Sequence, residues 1–221
     1  MKRHLDEDLQ KLKTNLIKMA ALVEEAIDGS IESLKQKNGG LAEKIIKNDV
    51  VIDELELTNE ELCIELLATK QPIAIDLRFI TTGMRLNTEL ERIADLTVNI
   101  SQRALKLVET DLIKPLIDIP KLAEVAKEMV KKTIDSFVHN NEQLAKEVIL
   151  KDKEANQLRN FVYDEIINDF IVKDGSVAPR AVPLILVARD LERICDHAAS
   201  IAEDVIYMVN AKVVRHHPEK L

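Results

Sequence analysis

The five-residue run Glu91-Arg92-Ile93-Ala94-Asp95 returns as Glu192-Arg193-Ile194-Cys195-Asp196, in register and 101 residues later. The surroundings echo as well: Glu89-Leu90 matches Asp190-Leu191, and Ile100 matches Ile201. Self-similarity at a fixed distance constrains the fold before any local pattern does, because the chain then consists of two copies of one unit. Earlier parts of the copies align too. Ile31-Glu32-Ser33-Leu34 pairs with Ile134-Asp135-Ser136-Phe137 at an offset of 103, and Asp49 and Leu55 pair with Asp152 and Leu158 at the same offset. The second copy has therefore lost two residues, at the turn before its last helix.

Each copy reads as three helices. Leu5, Leu9, Leu12, Leu16, Met19, Val23, Ile27, Ile31 and Leu34 step by three or four and draw one apolar stripe. Asn38-Gly39-Gly40 reads as the C-cap and turn that end this helix. A second helix is expected over about 41–69, carrying Ile45, Ile52, Leu55, Leu62 and Leu66. Pro72 stands at the first turn of a third, about 73–109. The stretch from Asp111 to Pro120, with Pro115 inside it, reads as the connection between copies. Helices over 120–139, 142–172 and about 177–212 follow, with Ser176 as a candidate cap of the last. Pro183 is expected to end a first turn there or to kink the helix. Three amphipathic helices of ~30 residues bury their stripes together as an up-down-up bundle. The expected fold is all-α: a tandem pair of three-helix bundles, six long antiparallel helices in an elongated molecule, divided as 1–112 and 113–221. Composition agrees: aromatic residues make up 3% of the chain, Trp is absent, and there are only 5 Gly and 6 Pro.

Charge and cysteine usage narrow the function classes. Thirty-one basic residues against 39 acidic ones give a formal charge of −8. That balance disfavours a nucleic-acid backbone as partner and favours cations or a basic patch on another protein. Cys63 and Cys195 do not occupy equivalent repeat positions and form no CxxC, so a reducing compartment is expected. The opening residues, Met1 to Asp6, turn acidic without the apolar run of a signal peptide. The longest apolar run, Val182 to Ala188, is far short of the ~20 residues needed to cross a bilayer. A cytoplasmic location is expected, with any membrane association passing through partners.

The chemistry-bearing residues are paired carboxylates. Glu91/Asp95 and Glu192/Asp196 lie at i, i+4 on one helix face, and the row continues with Asn99 and Ser200. The second helices carry Asp49/Asp53 and Asp152/Asn156 at the same spacing. Like charges so placed repel by about 0.2–0.5 kcal/mol per pair, a cost that a neighbouring Arg or a bound cation removes. Where second and third helices are neighbours, two such pairs face each other. Oxygen donors on a rigid face suit Mg, Mn or Fe, and Zn less closely. The alternative is a carboxylate–Arg network using Arg92 and Arg193. It has force, because Glu24/Asp28, Glu56/Glu60, Glu61/Glu65 and Glu124/Glu128 repeat the spacing elsewhere.

Other candidates weigh less. His197 could add a nitrogen ligand but is expected to be an exposed helix residue. Arg85, Arg103, Arg180 and Arg189 could hold an anion such as phosphate but are expected to form surface salt bridges. Cys195 is expected to be a small packing residue, and His216-His217 a frayed tail. Catalytic arrangements are missing: the sequence contains no ExxH, HExxH, GxSxG or Walker A loop. No enzyme activity is expected.

Two three-helix units, each with Leu-Glu-Arg-Ile-x-Asp in its last helix, closely resemble the PhoU family, which regulates bacterial phosphate-specific transport. The resemblance covers about residues 3–212. It is carried by Thr88 to Asp95 with Val98-Asn99-Ile100, by Ala188 to His197 with Ser200 to Glu203, and by Pro72 to Arg78. It implies metal clusters, iron or zinc, on Glu91, Asp95, Glu192 and Asp196, with Asp49, Asp53 and Asp152 as companions. It also implies a homodimer and an adaptor role between a phosphate ABC transporter ATPase and a sensor histidine kinase, repressing the phosphate-starvation response. Asn156 and Ser200 depart from the pattern, so the second site is expected to be weaker or to hold fewer ions. Two other classes compete. A metal storage or oxidation bundle would need the absent histidine motif, and a metal-free structural oligomerisation module would leave the acids empty.

Overall fold

The computed structural model describes residues 4–214 of the chain, all helix and connection with no strand among them. Helices α1 (His4–Lys35), α2 (Gly39–Lys70) and α3 (Ala74–Leu107) form one trio; α4 (Asp118–His139), α5 (Glu142–Glu165) and α6 (Ala178–Asn210) form the other. Within each trio every helix packs on the other two. His216 and His217 lie outside the described residues. Among those described, no helix is long and apolar enough to cross a membrane.

The helix ends follow local chemistry, with two differences from the sequence reading. Gly39 and Gly40 open α2 rather than close α1. Asn38 is its N-cap, accepting from the Leu41 N–H at 3.0 Å. The left-handed turn expected of glycine is made by Lys37, at φ 52°. Ser176 does not cap α6. Gly175–Val177 form a 3-10 turn capped by Asp174, and Val177 precedes the helix. Asn141 caps α5 through the amides of Gln143 and Leu144, the counterpart of Asn38 at the 103 offset. The fifth helix runs on past Glu165 as a π-helical stretch, Ile166–Ile171. Pro183 sits inside α6, where a proline lacks the N–H of its ladder position.

The halves lie side by side, not end to end. α3 and α6 pack on each other as extensively as helices within a trio, and α1 also meets α4. One apolar cluster runs through both halves, from Leu16, Ile27 and Leu66 through Leu90 and Ile93 to Phe137, Val148 and Leu191. Phe79 of α3 stacks on Phe137 of α4 with ring centroids 4.8 Å apart. Gly83 lies beside this stack, where a Cβ would stand at van der Waals distance, 3.4 Å from Leu12 and Leu16 and 3.7 Å from the Phe137 ring. α3 and α6 are thus the inner helices, while α2 and α5 lie outermost.

The seam between α3 and α6 carries three side-chain pairs, beside Arg78 Nε donating to the Met208 carbonyl at 2.9 Å. Arg85 pairs with Asp204 at 2.9 Å, Arg103 with Asp190, and His197 Nδ1 meets Glu89 Oε2 at 2.5 Å. These contacts run antiparallel along the helices. Arg103 and His197 are therefore partly buried in the seam, not the surface residues expected from sequence. The Asp190 side chain is 1% exposed and that of Arg103 15%. Burial pushes both Asp190 and Asp204 upward against the pull of their arginines, Asp204 to about 6.

Candidate functional site

Two grooves hold the predicted acids, one between α2 and α3 and one between α5 and α6. A buried amide pair sets the register of the first. Asn59 Nδ2 donates to Asn87 Oδ1 at 2.9 Å, and Asn87 Nδ2 donates to the Glu56 carbonyl at 2.8 Å. Both amides are almost fully buried, so they tie α2 to α3 at one level only. One turn further along, this register brings Glu91 alongside Asp53 and Asp95 alongside Asp49.

The first groove is a field of like charge. Asp49 is pushed up to about 6 by partial burial, then by Asp53 and Asp95. Glu91 is raised by burial, then by Asp95, Glu56, Asp53 and Asp49. Glu56 is raised by burial, then by Glu60 and Asp53. No basic group acts on any of these three. Asp49, Glu56 and Glu91 are half-buried, and Asp53 and Asp95 stand at the exposed rim. The structure thus sets all four residues predicted for the first half along one groove, within reach of each other's charge. It adds Glu56, which sequence reading had placed only among background acid pairs. Arg92 does not neutralise the groove; it turns to Glu89 at 3.4 Å.

The second groove is built from the equivalent positions with different chemistry. Asp152, Glu192 and Asp196 are brought together, and Asp196 is raised to about 6 by partial burial, Glu192 and Asp152, against the pull of His197 and Arg159. Asn156 Nδ2 donates to Asp152 Oδ2 at 2.9 Å. Arg159 is the residue that sequence reading missed, and the 103 offset places it opposite Glu56. Its Nη2 lies 3.1 Å from Glu192 Oε1 and 3.1 Å from Asn156 Oδ1, and its guanidinium sits 5.4 Å from the Tyr163 ring centroid. Asp152 Oδ1 and Arg159 Nε are buried without hydrogen-bond partners.

The donor chemistry of the first groove fits a hard cation: several carboxylates, two rigid helices and no competing base. Among the described residues, no three His, Cys, Asp or Glu side chains are gathered closely enough to hold an ion as they stand. Mutual repulsion favours such carboxylates standing apart. His197 joins neither groove, since Glu89 holds it across the seam. Arg85, Arg103 and Arg189 are engaged by Asp204 and Asp190, and Arg180 by the Asp111 carbonyl, which leaves the anion reading without an open guanidinium cluster.

The PhoU domain model matches this chain twice, over residues 16–104 and 119–205. The chain belongs to the PhoU family. A phosphate-specific transport system accessory protein PhoU homolog of Aquifex aeolicus is 40% identical over 212 residues, covering 96% of each chain. Homolog 1 of Thermotoga maritima is 34% identical over 215 residues, covering 95% of this chain and 90% of that one. The crystal structure of PhoU from Pseudomonas aeruginosa superposes with a TM-score of 0.91 at 29% identity, covering 95% of this chain and all of that one. The phosphate transport system regulatory protein PhoU from Streptococcus pneumoniae gives 0.88 at 26%, covering 96% and 99%. The two model matches fall one in each helical trio, as the internal repeat requires.

Proposed function

We propose that the protein is a cytoplasmic, non-catalytic regulator of phosphate uptake and phosphate-responsive signalling, acting as a homodimeric adaptor between a phosphate ABC transporter ATPase and a sensor histidine kinase. Full-length likeness to relatives named as accessory proteins of phosphate-specific transport carries this reading. The fold supports it: long rigid helices with charged outer faces suit docking.

The proposal includes metal, held by Asp49, Asp53, Glu91 and Asp95; Asp152, Glu192 and Asp196 stand at the corresponding positions of the second half. Iron or zinc follows from the family resemblance, and magnesium or manganese from the oxygen donors. A bound cation would supply charge neutralisation across the groove. The residues' own part is to present carboxylates from two helices whose register the Asn59–Asn87 pair fixes.

A deletion strain and an affinity capture from phosphate-replete cells test the adaptor role. The expected result is co-recovery of the transporter ATPase and the kinase, with constitutive starvation-gene expression on deletion. Recovery of neither, with unchanged phosphate-regulated expression, would refute it.

A further inference from the structure

We infer that the two grooves are not equivalent: Arg159 is the built-in cation of the second, and metal is held in the first half alone. This rests on the metal reading proposed above and narrows it to one groove.

The argument starts from the duplication. Along α2 the groove-side positions are Asp49, Asp53, Glu56 and Glu60; at the 103 offset α5 carries Asp152, Asn156, Arg159 and Tyr163. The facing helices keep the same acids, Glu91/Asp95 and Glu192/Asp196. One groove therefore presents six carboxylates and no base, the other three carboxylates and a guanidinium. Each change in α5 removes a reason for a metal to bind. Asn156 trades a carboxylate for an amide and spends its N–H on Asp152, and Arg159 brings a fixed positive charge to Glu192 at 3.1 Å.

Arg159 is also held in place, by Asn156 Oδ1 at 3.1 Å and by the Tyr163 ring. Its side chain is 26% exposed and that of Glu192 14%, so a cation entering this groove would have to displace a partly buried, hydrogen-bonded ion pair. In the first half the equivalent positions, Glu56 and Glu60, only add to the repulsion. The unpartnered Nε of Arg159 and Oδ1 of Asp152 leave the second groove a spare donor and acceptor of its own.

The test is metal content per chain after loading the purified full-length protein with Zn(II), and separately Mn(II), followed by desalting and elemental analysis. Far-UV circular dichroism checks that each variant is folded. Asp49→Asn with Asp95→Asn should lower bound metal at least tenfold, whereas Asp152→Asn with Asp196→Asn should leave it unchanged. A gain-of-site variant, Asn156→Asp with Arg159→Glu, should raise metal per chain about twofold, and this second readout stands if a loss variant fails to fold. Loss of metal in equal shares from the two paired variants would overturn the inference while leaving the metal reading intact. A wild-type protein that retains no metal would overturn both.

Discussion

Asp49→Asn should stabilise the metal-free protein at neutral pH and lose that advantage in acid. The half-buried Asp49 carboxyl sits at about 6 instead of its ordinary 3.8, through partial burial and the charges of Asp53 and Asp95. Two pKa units correspond to about 3 kcal/mol between protonation states for a group wholly removed from water. The groove opens to solvent along its rim, so screening brings the expected effect to about 1 kcal/mol. A raised carboxylate weakens the fold when ionised, and the sign with pH follows. Above pH 6 the penalty is present in full. Between 6 and 3.8 the native state takes up a proton that the unfolded state does not yet hold, and the penalty fades. Below 3.8 it is gone. Asn keeps the shape and removes the charge, so in chelator at pH 7.5 the variant should melt about 2–4 °C higher, with the two curves converging by pH 4. Added Zn(II) should reverse the order, because the variant then lacks a donor. A lower melting point for the variant in chelator at pH 7.5, or a gap that persists unchanged to pH 4, would show that Asp49 makes a stabilising contact and that the repulsive picture of the groove is wrong.

Two further outcomes probe how the helices are held. Arg103→Leu should cost about 3 kcal/mol, because it leaves the Asp190 carboxylate, 1% exposed, with Arg189 at 3.5 Å and the more distant charge of Arg193. The double variant Arg103→Leu/Asp190→Leu should recover most of that loss in denaturant titration, and failure to recover would mean that shape, not the stranded charge, causes the damage. Asn87→Ala should cost about 1–3 kcal/mol in the same assay, since it leaves the buried Asn59 Nδ2 with only the Met19 sulfur at 3.9 Å; an unchanged midpoint would remove the amide pair as the register lock between α2 and α3.

The helices were legible because their stripes are long and uninterrupted, and the duplication because two acidic pairs repeat in register. Both follow from periodicity, which sequence carries directly. What escaped depends on which surfaces meet. The glycine pair after α1 resembled a terminator, yet Lys37 accepts the left-handed turn and the Asn38 side chain begins the next helix, an outcome decided by one hydrogen bond. The side-by-side packing of α3 on α6 escaped too, because the apolar faces of an inner helix serve two neighbours and no stripe says which. That packing moved Arg103 and His197 from expected surface positions into the seam. Arg159 was visible at the 103 offset, but a search for acid pairs four residues apart does not stop at the i+7 position of Asp152. The groove acids themselves were found from spacing; their lack of a base was not, since it required knowing that Arg92 turns to Glu89.

The seam also shows why the two copies could not stay alike. Residues related by the 101 offset meet across a two-fold-like interface, where a contact from position i to position j implies its mirror. Arg103 with Asp190 is one such contact, and its mirror places Asp204 against Glu89, two carboxylates at a largely buried junction. The repulsion is real: Glu89 still raises Asp204. Two substitutions outside the mirrored pair relieve it. Arg85, whose counterpart is Leu186, takes Asp204 at 2.9 Å, and His197, whose counterpart is Leu96, takes Glu89. The buried amides follow the same logic, for Asn59 and Asn87 correspond to Val162 and Ala188, both buried and apolar, with no hydrogen bond to enforce a register. A duplicated chain that folds its copies against each other must diverge where like meets like. Arg159 opposite Glu56 extends that divergence from the seam to the outer grooves.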